Sequence, residues 1–362
     1  MNKIKLEYIW IDGQNPTSEL RSKTKIVSYD SLYSANVNEN NFSDVLGRMP
    51  EWNFDGSSTE QSKGRNSDCI LVPISFCKDP FREGVSFLVM CEVMNPDGTP
   101  HETNKRNSLA KVSEEYKEEE ALFGIEQEYI LCEKILDKKV HGKRFYGWPQ
   151  DLSSMTEQGR YYCGVGSDRI LGRDIAEEHL EMCLKAELGI TGINAEVMAS
   201  QWEFQVGTLS ALEVSDHLWL ARWILHRVCE NYEAVATLDP KPIEGWNGSG
   251  AHINFSTKEM REEGGIKAIE EACERLSKRH SEHIAAYGSG NEKRLTGGFE
   301  TCDINTFRYG VADRGASIRI PRQVKENGCG YLEDRRPSSN VDPYVACEIL
   351  IKTICLQEEL VK

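Results

Sequence analysis

The chain has 362 residues, 39% of them apolar, and a formal net charge of −15 from 43 basic and 58 acidic side chains. That length supplies two domains with sizeable cores, and the acidic balance disfavours capture of a nucleic-acid backbone, so an anionic ligand needs a local basic pocket. No stretch reaches the roughly 18 consecutive apolar residues of a membrane span, and the N-terminus carries no leader-like segment. Twelve dispersed cysteines without a CxxC pair exclude a zinc ribbon or thioredoxin motif, and the protein is expected to be reduced, cytoplasmic and free of membrane or nucleic acid.

In chain order, residues 4–11 (IKLEYIWI) and 21–29 (RSKTKIVSY) read as strands around the turn-rich DGQNPTSE. Residues 69–76 and 86–94 read as two more, and Asn95-Pro96-Asp97-Gly98 is a turn signal. Residues 1–103 therefore read as a small β-rich domain. The charge-dense stretch 105–120 predicts a surface helix at the boundary, with the acidic run Glu114–Glu120 as a solvated face. Beyond it, in 104–362, helices and strands mix without a βαβ rhythm. Ala176, Leu180, Leu184 and Leu188 predict one helix stripe over 173–188, closed by Gly189. Ser215-Asp216 predicts the N-cap of a buried helix over 215–235, and Ile266, Ile269, Cys273, Leu276 and Ile284 predict a helix over 265–287 with His280 and His283 on its surface.

Residues 123–131 (FGIEQEYIL) look like a strand entering a core, yet Glu126 and Glu128 share one face about 7 Å apart. Alone, they read as a wet sheet face. Further on, NAEVMASQWEFQVG (194–207) sets Glu203 and Gln205 opposite Trp202, Phe204 and Val206. Glu196 has the opposite parity to Glu203, so a turn or bulge must intervene if both face one site. In GWNGSGAHINFS (245–256), glycines allow close approach to a ligand, and His252, Asn254 and Ser256 then face away from Ala251, Ile253 and Phe255. Arg314, Arg319 and Arg322 crowd VADRGASIRIPR, and Tyr331, Glu333 and Arg335 share a strand face in YLEDRR.

The polar faces together hold Glu126, Glu128, Glu196, Glu203, His252 and Glu333. Carboxylates so close repel unless cations sit between them, and hard oxygen ligands select Mg²⁺ or Mn²⁺. The count suits a two-metal site, and Arg294, Arg314, Arg319 and Arg335 suit phosphoryl transfer beside it. There is no GxxxxGK[ST], and the GxxGxG at 245–250 has neither Rossmann order nor strand-to-helix context.

EWNFDGSSTEQ (51–61), FGIEQEY (123–129), YYCGVG (161–166), NAEVM and QWEFQVG (194–207), DPKPI, WNGSGAHINFST, RLTG (294–297), GVADRGASIRIPR (310–322) and YLEDRRPSSNVDPY (331–344) resemble the glutamine synthetase family, in its eukaryotic-type (class II) branch. The resemblance runs from about residue 6 to 345. It implies an α+β fold, an N-terminal β-grasp-like domain followed by a larger catalytic domain with an antiparallel sheet flanked by helices. The implied activity is ATP-dependent condensation of L-glutamate with ammonia through γ-glutamyl phosphate. By the same likeness Glu126, His252 and Glu333 hold one metal, and Glu128, Glu196 and Glu203 the other. Asn247 and Gly248, with Trp246 adjacent, bind glutamate; Arg294, Arg314 and Arg335 contact glutamate and the moving phosphoryl group. Asn254, Phe255, Ser256, Arg319 and Tyr331 line the nucleotide site, with Glu126, Glu203, Arg314 and Glu333 also on the nucleotide side. Glu300 resembles a loop glutamate that closes the site and accepts a proton. Asp55 is expected from a neighbouring subunit, where it helps deprotonate ammonium, because the family's sites lie between subunits of a homo-oligomer of stacked rings, a decamer in this branch.

The chain differs from the family pattern at several points. Phe299 replaces a histidine, Asp313 replaces an asparagine before Arg314, Ala199 replaces a proline, Leu332 replaces an aromatic residue, and SSMTEQGR (153–160) replaces a Pro-Gly-rich stretch. None of these removes an expected ligand. Two other readings fit the sequence: a ligase that uses another amine, suggested by Asp313, Phe299 and 153–160, and a non-catalytic assembly protein.

Overall fold

The computed structural model describes residues 3–33, 42–63, 67–134, 144–149, 151, 155 and 157–355. Of the divergent stretch 153–160, Ser153, Ser154 and Thr156 lie outside the described residues. The chain divides into two compact units, 1–108 with 181–188 and 219–223, and the remainder.

The first unit is built on a five-stranded sheet in the order β2-β1-β5-β4-β3. Its strands are β1 (Lys3–Ile11), β2 (Leu20–Ser28), β3 (Trp52–Asp55), β4 (Asp68–Lys78) and β5 (Ser86–Met94). β1 pairs in parallel with β5, and the other neighbours are antiparallel. The alternation in β1 buries Ile4, Leu6, Tyr8 and Trp10, which join Phe54, Leu71, Phe87, Val89 and Val93 in one core. Each such side chain contributes about 1.5–3 kcal/mol of hydrophobic stabilisation. The four strands expected here are present, and β3 is a fifth.

The second unit carries an eight-stranded sheet in the order β11-β12-β13-β10-β6-β8-β7, with β9 paired to the far end of β6. The strands are β6 (Leu122–Glu133), β7 (Ile190–Ala195), β8 (Gln201–Leu209), β9 (Ala234–Thr237), β10 (Ala251–Ser256), β11 (Tyr309–Val311), β12 (Ile318–Ile320) and β13 (Leu332–Asp334). All its pairings are antiparallel except the edge pair β11–β12. β6 is the hub: His252 of β10 stands opposite Glu126, and Glu203 of β8 stands opposite Glu128. This register brings four of the six expected ligands onto adjacent strands.

The helices depart from expectation in detail. The helix expected from Ser215 begins a turn earlier, at Ala211, because Ser210 and Glu213 form a reciprocal capping box. Ser215 instead donates to the Ala211 carbonyl, and Asp216 is buried and accepts the Tyr344 hydroxyl at 2.6 Å. The helix Arg173–Lys185 buries Ile175, Ala176, His179 and Cys183 and leaves Leu184 48% exposed, so the apolar stripe is rotated from the leucine repeat. It ends before Gly189, with Glu187 in the left-handed region at φ 60°. The expected helix over 265–287 is two helices, Ile266–Lys278 and His280–Ala286, broken at Arg279. His283 is therefore not a surface residue. It is fully buried, with its ring nitrogens bonded to the Tyr287 hydroxyl at 2.7 Å and the Thr353 hydroxyl at 2.8 Å.

Candidate active site

The turn 196–200 between β7 and β8 reconciles the parities of Glu196 and Glu203. Ser200 sits at φ 59°, Glu196 N–H donates to the Gln201 carbonyl at 2.9 Å, and both carboxylates then face one cavity. That cavity, of about 300 Å³, is lined by Glu126, Glu128, Glu196, Glu203, His252 and Glu333, and by Arg294, Arg314, Arg319 and Arg335. Asn247, Gly248 and Glu300, expected at the site, line it too, as does Phe299. A second cavity of about 440 Å³ takes Asn254, Phe255, Ser256 and Tyr331. Glu126 and Gln205 line both.

Two expected residues lie elsewhere. Trp246 packs at a tilt against Trp148, 4.8 Å between ring centroids, and lines neither cavity. Asp55 belongs to the first unit, at the end of β3. Its exposed carboxylate accepts Ser57 N–H at 3.0 Å and the Ser57 hydroxyl at 2.6 Å, bonds that hold it below the usual carboxylate range and keep it anionic.

The six acidic and imidazole ligands fall into two trios. In each of the sets Glu126/His252/Glu333 and Glu128/Glu196/Glu203, one candidate donor atom per residue lies within 4.8 Å of the others. Their electrostatics differ. Glu333 accepts Arg319 at 2.7 Å and Arg335 at 2.6 Å. Glu126 accepts Asn254 at 2.8 Å and sits 3.4 Å from His252; burial pushes its carboxyl up, but the His252 bond and charge prevail and leave it below its ordinary value. The other trio has no cation in its own set. Burial, then the charge of Glu128, pushes Glu196 up to about 8 and Glu203 up to about 9. Glu196 and Glu203 therefore hold protons at neutral pH unless a multivalent cation enters, and three oxygen donors around one point, two buried and one half-buried, suit a hard divalent ion. The donor chemistry fits Mg²⁺ or Mn²⁺ in both trios.

Neutral partners fix these carboxylates. Gly250 N–H donates to Glu128 at 2.8 Å, and Gln201 donates to it at 3.2 Å. Asn194 donates to Glu196 at 2.9 Å, and Gln205 bridges Asn194 and Glu203. Sequence reasoning did not single out Gln201, Asn194 or Tyr162 as site residues. Gln201 and Asn194 are polar residues beside the glutamates in NAEVMASQWEFQVG, which was the available signal. Gln158, from the divergent stretch, accepts Asn247 N–H at 2.8 Å.

The glycines of WNGSG do permit close approach, but to Arg294. A Cβ on Gly248 would lie 2.9 Å from the Arg294 Cγ, and one on Gly250 would lie 2.4 Å from its guanidinium. Arg294 is buried, and burial lowers it to about 10, so it remains a cation at neutral pH. Asp313 does not bond Arg314 among the described contacts. It caps the turn through Gly315 N–H at 2.9 Å and lies 3.6 Å from Arg308, while Arg314 faces Glu300 at 3.5 Å.

Fold and site together define a class: an enzyme whose clustered carboxylates and arginines suit divalent ions and phosphate. Comparison with known proteins carries this further. Residues 2–96 match "Glutamine synthetase, beta-Grasp domain" and residues 102–355 match "Glutamine synthetase, catalytic domain". The chain is 52% identical to a glutamine synthetase of Streptomyces viridochromogenes over 97% of this chain and 96% of that one. It is 50% identical to a chloroplastic glutamine synthetase of Chlamydomonas reinhardtii (96% and 90%) and 48% identical to a glutamine synthetase of Saccharomyces cerevisiae (98% and 90%). The chain belongs to the glutamine synthetase family. Its activity is that of a glutamate–ammonia ligase, the ATP-dependent synthesis of glutamine.

Proposed function

We propose that the two cavities divide the ligase reaction between them. Glutamate and the reacting phosphoryl group occupy the acidic cavity, and the nucleotide base and ribose occupy the second. The observation that carries this is that Glu126 lines both, so the terminal phosphate of ATP in one cavity meets the carboxylate trios and arginines of the other. Glu126, His252 and Glu333 hold one divalent ion, Mg²⁺ or Mn²⁺, and Glu128, Glu196 and Glu203 hold another. Bound there, such ions neutralise phosphate charge and polarise the reacting oxygens.

Arg294, Asn247 and Gly248, backed by Trp246, hold glutamate so that its γ-carboxylate faces the phosphoryl group. Arg314, Arg335 and Arg319 offset charge on the transferring group. Asn254, Phe255, Ser256 and Tyr331 hold the nucleotide, with Glu126, Glu203 and Glu333 toward its phosphates. Glu300 covers the acyl phosphate against water and accepts the proton that the nitrogen sheds once ammonia has attacked and phosphate leaves. Asp55 reaches a neighbouring subunit's site in a homo-oligomer of stacked rings, a decamer, and draws a proton from ammonium there; its anionic, exposed carboxylate supports that role. The working division is 1–103 and 104–362.

No helix of the described residues is long and apolar enough to cross a membrane. All twelve cysteines are free, which supports a reducing, cytoplasmic setting. The test is Mg²⁺-dependent ADP release with glutamate and ammonia by the assembled protein. Turnover that vanishes in Glu126→Ala and Glu128→Ala with the fold intact supports these roles; full activity in either refutes that residue's assignment.

A further inference from the structure

Glu300 sits on a strained loop. Phe299 and Glu300 are consecutive non-glycine residues in the left-handed region, at φ 52° and 59°. Such backbone persists only where surrounding contacts over-determine it. The base of the loop is tied by the Thr301 hydroxyl, which bonds the Gly298 carbonyl at 2.7 Å and the Arg294 carbonyl at 3.2 Å. At the tip, Glu300 meets Arg314 at 3.5 Å, a contact between two half-exposed side chains and so a weak one.

The other tip contact is aromatic. The Lys241 ammonium stands 4.0 Å from the centroid of the Phe299 ring. Lys241 is itself anchored. Its backbone N–H donates to Asp239 at 3.0 Å, and its ammonium also donates to the Trp246 carbonyl, in the segment that leads to Asn247 and Gly248. Lys241 thus links the segment proposed to hold glutamate to the loop that carries Glu300.

We propose that Lys241 and Phe299 form a positioning pair that holds Glu300 over the acidic cavity, and that this contact sets how well the acyl phosphate is kept from water while ammonia arrives. The proposal rests on the ligase reading given above. Neither residue need touch the reacting atoms; both act through the placement of Glu300. Loss of the contact leaves the loop tied at its base and held at its tip only by the weak Glu300–Arg314 contact. The phosphorylated intermediate is then hydrolysed to glutamate and phosphate by water in place of attack by ammonia, so ADP is released without glutamine.

The test uses the assembled protein with Mg²⁺, ATP, glutamate and varied ammonium, and measures ADP and glutamine separately. Phe299→Leu removes the ring and keeps apolar bulk, Lys241→Met removes the charge and keeps the stem, and Phe299→Tyr keeps the ring. Phe299→Leu and Lys241→Met are each expected to raise both the ADP released in excess of glutamine and the KM for ammonium about two- to fivefold, the size of an exposed cation–π contact. Phe299→Tyr should match the unaltered protein, and the double variant should be no worse than the worse single one, because one contact is removed once. Should Phe299→Leu fail to assemble, Lys241→Met carries the test alone. An unchanged ADP-to-glutamine ratio in an assembled variant, or effects that multiply in the double variant, would overturn the pairing while leaving the ligase reading intact. Absence of glutamine from the unaltered, assembled protein would overturn that reading and the pairing with it.

Discussion

Glu203→Gln should stabilise the metal-free protein and weaken the metal-bound one. Glu203 is buried, and its carboxyl is pushed up from 4.5 to about 9, first by burial and then by the charge of Glu128. The folded state therefore holds a proton that the unfolded chain has released at neutral pH. A group raised in this way lowers stability as pH climbs from 4.5 towards 9. At pH 7 the cost is about 1.4 kcal/mol for each pH unit above 4.5, or about 3 kcal/mol. Glutamine keeps the shape and removes the ionisation, so that cost disappears. For a unit of this size, the gain is about 6 °C in melting temperature. The assay is a thermal melt in EDTA at pH 7 and again with Mn²⁺ in excess. In EDTA the variant should melt higher than the unaltered protein; with Mn²⁺ its gain over its own EDTA value should be smaller, because one charged donor is lost. A variant that melts lower in EDTA would refute the claim that these buried carboxylates repel one another without an ion.

The Asp334–Arg336 pair, 2.6 Å apart and fully buried, should be costly to break: Arg336→Met should lose about 3–5 kcal/mol by denaturant titration, since it strands a buried carboxylate. Tyr331→Ala, at the second cavity, should weaken ATP binding measured by calorimetry by about tenfold, a loss of about 1.4 kcal/mol, with Mn²⁺ binding unchanged. Asp55→Asn and Glu300→Gln should each be nearly inactive alone, yet mixed and reassembled oligomers of the two should recover activity, because in the proposed assembly some sites take an intact Asp55 from one subunit and an intact Glu300 from another.

Much of the site was legible because strands alternate. The two-residue step from Glu126 to Glu128, and the polar run His252, Asn254 and Ser256, set their faces without tertiary information. The opposed parities of Glu196 and Glu203 even required the turn that Ser200 makes. Helices were less legible. Ser215-Asp216 has cap chemistry, but Ser210 and Glu213 form the reciprocal cap, and local composition alone does not rank two adjacent candidates. His283 was misread because a break at Arg279 turns its helix inward, where Tyr287 and Thr353 satisfy both ring nitrogens. The close approach of Arg294 to the WNGSG glycines was illegible too, since it joins residues more than forty apart and no local period encodes it.

The most direct test of the two-trio account is the number of Mn²⁺ ions bound per chain, counted by electron paramagnetic resonance titration on the assembled protein. The account predicts at least two in the unaltered chain, with one lost in Glu333→Gln and a different one lost in Glu203→Gln, so that each variant keeps the ion the other gives up. An unchanged count in both variants, or loss of all ions in either with the fold intact, would contradict it.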